Sequence, residues 1–481
     1  MIQLRHTLPL LAAGGILLSG CSLAPKYQRP AAPVAATYPL DATASNPSAV
    51  PAADLAWHQF FGDARLRAII QLALENNRDL RVAALNVERI RSIYSIQRSV
   101  LIPRLDATGD AVRQRTPATL SPSGQAVTGS VYNVGLQIPS YEVDFFGRVM
   151  SLRNQVLHQY LATEEARRSA QIALISAVAR QYLAALAADE QLALARQTLR
   201  AAEQSYELNR QSFEGGVTSE LDLRTAEGQR EAVRASVAAL EQQAVQLANG
   251  LVLLVGTPLP TDLPPAGSLA TQALVEDIPA DLPADLLVRR PDVRAAEEVL
   301  QAANANIGVA RAAFFPSIKL TAFGGSASTE LSGLFESGSG RWSFAPSITL
   351  PIFAGGRNKA QLDVARIEQR IEIANYEQAI QNAFREVADA LAVRNLIGRT
   401  IAAQQARVNA ARRRHELTRQ RFDAGIDPFL TVLLAQQELF AAEQSLIDAR
   451  LARLANLTAL YSALGGGWRD DVSTPQRTEQ Q

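Results

Sequence analysis

The chain has very little of what most chemistry needs. Of its 481 residues one is cysteine, two are methionine and four are histidine. A lone Cys21 has no internal disulfide partner and no cluster in which to hold a metal. The histidines, His6, His58, His158 and His415, lie far apart, with no metal-ligand spacing among them. Two methionines weigh against a soft-metal relay. Neither sign of charge is in excess: 47 basic and 47 acidic residues cancel, which argues against a nucleic-acid partner. Aromatics are scarce, and no internal run reaches the roughly 18 to 20 apolar residues of a spanning helix. Gly355-Gly356-Arg357 is glycine-rich but lacks the lysine and spacing of a phosphate loop, so it reads as a strand-to-helix turn. No constellation of polar groups suggests catalysis. The expectation is a non-enzyme with no cofactor and no metal.

What is present begins at the N-terminus. Arg5, an apolar run from Leu8 to Leu18, and small Ser19 and Gly20 form a targeting segment over residues 1–20. Leu18-Ser19-Gly20-Cys21 resembles the bacterial lipobox, which implies cleavage before Cys21 and its N-palmitoyl and S-diacylglycerol modification. An ordinary signal peptide with a chance cysteine is the other reading. Several acyl chains on one residue anchor stably where one alone is marginal. Ser22, not aspartate, follows, and among bacterial lipoproteins that favours the outer membrane. Residues 21–56, with Pro25, Pro30, Pro33, Pro39, Pro47 and Pro51 among Ala, Thr and Ser, read as an extended tether. A polar tail over 467–481 reads as flexible.

The rest of the chain repeats itself. Asp79-Leu80-Arg81-Val82-Ala83-Ala84 matches Asp292-Val293-Arg294-Ala295-Ala296 at an offset of 213, and Pro103 and Pro316 follow at equal distances. Phe145-Phe146-Gly147-Arg148 matches Ala354-Gly355-Gly356-Arg357, and Phe213 to Val217 matches Phe422 to Ile426, both at an offset of 209. So long a period is a duplicated unit and not a solenoid. The first copy is placed at 57–257 and the second at 292–466, with a proline-rich connection over 258–291.

Each copy combines long helices with one β-hairpin. Stretches of about 65 residues from 149 and from 358 contain no proline, and as helices would run about 100 Å. Leu223, Ala226, Arg230, Val233 and Val237 begin a heptad seam, as do Leu433, Gln437, Phe440 and Gln444 in the second copy. A second seam there, Val432, Ala435, Leu439, Ala442, Leu446 and Ala449, gives that helix two neighbours, which suits the wall of a ring. Hairpins are expected at about 104–139 and 317–351. Tyr132, Val134, Leu136 and Ile138 alternate with polar or small residues, as do Trp342, Phe344, Ile348 and Leu350. The partner strands alternate less cleanly and carry Asp106, Asp110 and Lys319. Pro103, Pro139, Pro316 and Pro351 are read as helix-strand switches. Runs of this length suit tilted transmembrane strands, but four strands cannot close a barrel, and an open edge cannot face lipid. Three chains would supply twelve strands. A water-soluble α+β protein with two surface hairpins is the alternative.

These residues also carry a family likeness. Cys21 with Pro25-Lys26-Tyr27 and Pro30, Trp57 with Phe61, Asn76 to Leu80, Arg289-Arg290-Pro291-Asp292-Val293-Arg294, Ala310 to Leu320, and Trp342 to Arg357 resemble the TolC-like outer-membrane factor family. The likeness is to its NodT-type lipoprotein branch and covers essentially the whole mature chain. It implies a mainly α fold with transmembrane β: a homotrimeric twelve-stranded outer-membrane barrel continuous with a long periplasmic α-helical barrel. It implies the exit duct of a tripartite efflux pump, anchored in outer-membrane lipid. The partners would be a periplasmic adaptor and an inner-membrane transporter, often of the resistance-nodulation-division class. Conduction of drugs or other small toxic compounds is expected. A type I protein secretion or metal-ion efflux duct, and less so a structural coiled-coil adaptor, are the alternatives.

By the same resemblance, the glycine turns form a periplasmic tip that docks the adaptor and closes the channel. Tip candidates are Gly216, Val217, Thr218, Ser219 and Leu221 in the first copy, and Gly425, Ile426, Asp427 and Leu430 in the second. Thr218 or Ser219 and Asp427 serve equally well as helix N-caps. Asp222 matches a family gate aspartate, with Arg224 as a neighbouring cation. The second copy departs from the pattern, carrying Thr431 and Leu434 where gate aspartates are expected.

Overall fold

The computed structural model describes residues 22–38, 50–275 and 289–469. The targeting segment and Cys21 lie outside the described residues, as do 276–288 of the connection and the tail from 470. In chain order the longer elements are α1 (Trp57–Phe60), α2 (Ala64–Asn76), α3 (Arg78–Ser99), β1 (Asp106–Thr116), β2 (Val127–Val143), α4 (Arg148–Glu214) and α5 (Glu220–Val255). The second series is α6 (Pro291–Ala312), β3 (Ser317–Ser328), β4 (Gly340–Thr349), α7 (Arg357–Asp423) and α8 (Phe429–Ala463). The duplication is visible in the lengths: α3 and α6 have 22 residues each, and α4 and α7 have 67 each.

Contacts gather the chain into two compact units, and each unit takes elements from both copies. The first unit holds the sheet. Its order is β1-β2-β3-β4, antiparallel throughout, so the two hairpins join through β2 and β3. β2 has 17 residues and runs straight past Pro139 to Val143. Pro139 is thus not a helix-strand switch. It sits inside the strand, where the β2–β3 register shifts between Ile138 and Tyr141, because proline has no N–H to give the ladder. Pro103, Pro316 and Pro351 fall between helix and strand.

The N-terminal segment, read from composition as a tether, is held at residues 23–29 along α6. Leu23 and Pro25 give their carbonyls to Arg311 and Asn304. The Arg29 guanidinium forks onto Glu297 at 2.7 and 2.8 Å, and the Tyr27 hydroxyl donates to the same carboxylate at 2.9 Å. Gly308 lets the segment approach, since a Cβ there would lie 2.9 Å from the Ala24 nitrogen. The composition of 21–56 hid this docking because it depends on three polar side chains of α6, not on apolar bulk.

The second unit holds the core around Phe60, Phe61 and Tyr461. Phe60 stacks on Tyr461 at 4.0 Å between ring centroids, and the Tyr461 hydroxyl donates to the Leu55 carbonyl. The Asp63 carboxylate caps α2 by accepting from the Leu66 N–H. Part of the connection is tied here, with Phe61 bridging to Leu274 and the Gly62 N–H donating to Ala273. Both seams are buried where expected: Ala226, Val233 and Val237 on α5, and Val432, Ala435, Ala442, Leu446 and Ala449 on α8. α4 contains one window long and apolar enough to cross a membrane, but 61% of that window is buried, as expected of a core helix.

Each copy closes on itself within this unit by the same device. Asn77, just before α3, donates to the Leu254 carbonyl near the end of α5, and Arg290, just before α6, donates to the Ala463 carbonyl at the end of α8, both at 2.8 Å. Arg290 also binds Asp292 and Glu386. Gly256 and Gly465, at φ +80° and +81°, end the helices. A Cβ on Gly256 would lie 2.5 Å from the Asn76 carbonyl oxygen, so only glycine fits that corner.

Candidate functional site

Two regions carry the sequence-derived site residues: the sheet in the first unit and the helix turns in the second. Cross-strand partners share a face, so the register assigns every strand residue to one of two surfaces. One face carries Leu136, Gly324 and Trp342 in one row, Ile138, Ala322 and Phe344 in the next, and Val143, Ile318 and Ile348 beyond the bulge. It is apolar yet open: Trp342 is 81% and Ile348 70% exposed.

The opposite face carries Asp106, Thr108, Asp110, Asn133, Gln137, Lys319, Thr321, Arg341 and Ser343, with Phe323 among them under Arg341 and valines 112, 127 and 131 toward its loop end. Its charges are mostly satisfied locally. Asn133 donates to Asp110 at 2.9 Å and accepts from Arg341, and Arg104 binds Asp106. Glu142 is forked by Arg148 at the start of α4. The loose alternation noted for β1 and β3 is resolved here, because Asp106, Asp110 and Lys319 all fall on this one polar face. Such a sheet exposes apolar side chains to one medium and polar ones to another.

The turns are built on one backbone plan. Gly216 and Gly425 adopt φ +72° and +71°, and in each turn two amides fold back onto the end of the preceding helix. Val217 donates to Ser212 at 2.8 Å and Ile426 to Arg421 at 2.9 Å. The side chains then differ. Ser219 caps α5, and Asp222 returns the bond, accepting from the Ser219 hydroxyl at 2.7 Å and from its backbone N–H. This reciprocal capping box ties Asp222 to its own helix start. Arg224 does not pair with Asp222; it bridges Glu220 and Glu227. Thr218 reaches the Asn209 carbonyl.

Asp427 caps nothing, because Pro428 holds the cap position of α8. Its carboxylate is forked by Arg421 at 2.7 and 2.9 Å. That hydrogen-bonded guanidinium holds the Asp427 carboxyl below the usual carboxylate range. Val217, Leu221, Ile426, Leu430 and Leu434 are exposed apolar side chains around the two turns, and Thr431 is half-buried.

Beneath the turns lies a cavity of about 240 Å³ lined by Leu208, Asn209, Phe422, Phe429 and His415 among others. Burial and then the nearby Arg419 push the His415 imidazole down from its ordinary value. Sequence reasoning missed this cavity; the only local signal was Phe422 and Phe429 flanking the glycine turn. Among the described residues no group of His, Cys, Asp and Glu could hold a metal.

A sheet apolar on one side and polar on the other, carried by long antiparallel helix pairs, defines the wall of an outer-membrane duct. The family model described as "Outer membrane efflux protein" matches residues 69–257 and again 282–466, once for each copy. The chain belongs to that family. It is 48% identical to the toluene efflux pump outer membrane protein TtgF of Pseudomonas putida, over 98% of this chain and 99% of that one. It is 44% identical to the outer membrane protein OprJ of Pseudomonas aeruginosa, over 95% of each. The open-state outer membrane channel MtrE of Neisseria gonorrhoeae superposes with a TM-score of 0.86 at 42% identity, covering 94% of this chain and all of that one. The expected fold class, efflux function and outer-membrane location therefore hold.

Proposed function

We propose that the protein is the passive exit duct of a multi-component pump, conducting small toxic compounds such as solvents and antibiotics across the outer membrane. The carrying observation is the two-faced sheet. Its apolar face suits lipid, its polar face suits a water-filled lumen, and β1 and β4 remain at its edges. Edges cannot stand open in lipid, so three copies would close a twelve-stranded barrel. An adaptor and an inner-membrane transporter would supply the energy and most of the selection. Cys21 would carry the lipid anchor. Toluene, solvent and antibiotic pumps among the relatives support the substrate class.

Closure would fall at the turns. Asp222 is already engaged as a cap, so it would move with its helix, whereas exposed Leu434 is free to pack against copies of itself. The test is single-channel conductance of the full-length protein in planar bilayers. Leu434→Lys is expected to change conductance strongly and Asp222→Asn weakly. If neither variant differs from the native channel, both leave the gate. An assembly mass other than that of three chains would overturn the barrel closure.

A further inference from the structure

The sheet carries two charges that the duct does not use. Arg113 and Arg115 lie near the loop end of β1, paired in register with Ser130 and Thr128. By the same register they share the face of Ala107, Leu136 and Trp342, the apolar one, and not the face of Asp110 and Asn133. Both are exposed, and among the described residues neither meets a carboxylate. This contrasts with the polar face, where Asp106, Asp110 and Glu142 each have a hydrogen-bonding partner. An arginine on a lipid-facing wall costs least where the hydrocarbon ends.

Their level on the wall is fixed by the apolar rows. From the row of Val143 and Ile348 to the row of Leu136 and Trp342 the face is apolar, and Val134 and Tyr132 carry it on along β2 beside Ser326 and Ser328. At about 3.3 Å per residue and a tilt near 45°, that run covers about 25 Å of depth, the height of the apolar band of such barrels. Tyr132, opposite Ala111, sits where an interfacial aromatic belongs. Arg113 and Arg115 are the next two positions outward on that face, in the headgroup layer on the side away from the helices.

We infer that Arg113 and Arg115 form a binding site for the phosphorylated headgroup of an outer-leaflet glycolipid. The guanidinium fork matches phosphate oxygens bidentately, and two forks about 7 Å apart along one strand present a spaced pair of cations. β3 ends on this face in Ser326 and Ser328, so only the first copy supplies the site, one per chain. The inference rests on the reading of the sheet as a membrane wall.

The test uses the full-length protein in neutral detergent, titrated with diphosphoryl lipid A, dephosphorylated lipid A and phosphatidylglycerol, with binding followed by native mass spectrometry. Diphosphoryl lipid A should bind the native protein, and the Arg113→Ala/Arg115→Ala double variant should lose roughly tenfold or more in affinity. Arg113→Lys/Arg115→Lys should keep part of it. Equal binding by native and double-alanine proteins overturns the site. Equal binding of phosphatidylglycerol and lipid A overturns the glycolipid assignment. Conductance of the double-alanine variant separates the two readings. A native channel that conducts but shows no lipid selectivity rejects the site alone, while a native protein that neither inserts nor conducts rejects the wall as well.

Discussion

In the turn after α4, Ser219 and Asp222 cap one another, whereas in the turn after α7 the Asp427 carboxylate reaches back to Arg421. The central glycines agree within a degree in φ. The duplicated chain therefore kept the fold of its turn and replaced its electrostatics. The same holds where each copy closes: a neutral amide at Asn77 and a charged guanidinium at Arg290 bind corresponding helix-terminal carbonyls. At these places one copy depends on uncharged donors, the Ser219 hydroxyl and the Asn77 amide, and the other on the arginines Arg421 and Arg290. The copies should accordingly fail under different insults.

The largest difference is expected at the closures. Arg290→Ala removes a buried side chain bonded to Asp292, Glu386 and the Ala463 carbonyl. Both carboxylates are partly solvated, so the expected loss is about 2–3 kcal/mol. Asn77→Ala gives up the bond to Leu254 and a cap on the Leu80 N–H, for about 1–2 kcal/mol. Urea denaturation in detergent measures both; equal losses would break the comparison. Next come the glycines. Gly216→Ala and Gly425→Ala force a left-handed alanine and should cost about 1 kcal/mol each. Hydrogen exchange in the two turns should report equal loosening, and unequal values would show that the backbones are not equivalent.

Ser219→Ala should cost about 1 kcal/mol or less and raise exchange at the Asp222 amide, leaving the second turn unchanged. The smallest effect is with pH. The Asp427 pKa is depressed in the fold, so its contribution is present above the unfolded value and disappears as pH falls through the folded one. Acid should loosen the second turn, and Asp427→Asn should remove the part of that dependence that Asp427 supplies. His415 acts in the same direction, because its depressed imidazole pKa makes protonation favour unfolding below the usual histidine range. Asp427→Asn should therefore be read against His415→Gln. If acid loosening persists in the double variant, neither group is its source.

Much of this was legible in the sequence because it was written twice. The offsets of 213 and 209 predicted equal helices, and α4 and α7 both have 67 residues. The seam positions Ala226, Val233 and Val237 were legible because a heptad is a local pattern. Three things were not. Pro139 looked like a boundary, since a proline inside a strand is tolerated only with a bulge, and a bulge depends on the partner strand. The pairing of β2 with β3 joins segments with no sequence signal for each other. Asp222, a gate candidate by resemblance, also closes a capping box with Ser219. The sequence offers Ser219 as a cap, but that Asp222 returns the bond depends on the rotamer it takes at the helix start.

The β2–β3 ladder also has a consequence for how the protein is made. It pairs Tyr132 with Ser328 and Val143 with Ile318, so the central seam of the sheet joins strands about 180 residues apart and must be slow to find. Until β3 has emerged and the intervening α4 and α5 have folded, the first hairpin waits with its inner edge bare and its apolar face unsheltered. A newly synthesised chain is then most vulnerable to aggregation between completing its first copy and completing its second. The rate of insertion should follow the pairing of residues 317–328 with β2, not the formation of the first hairpin.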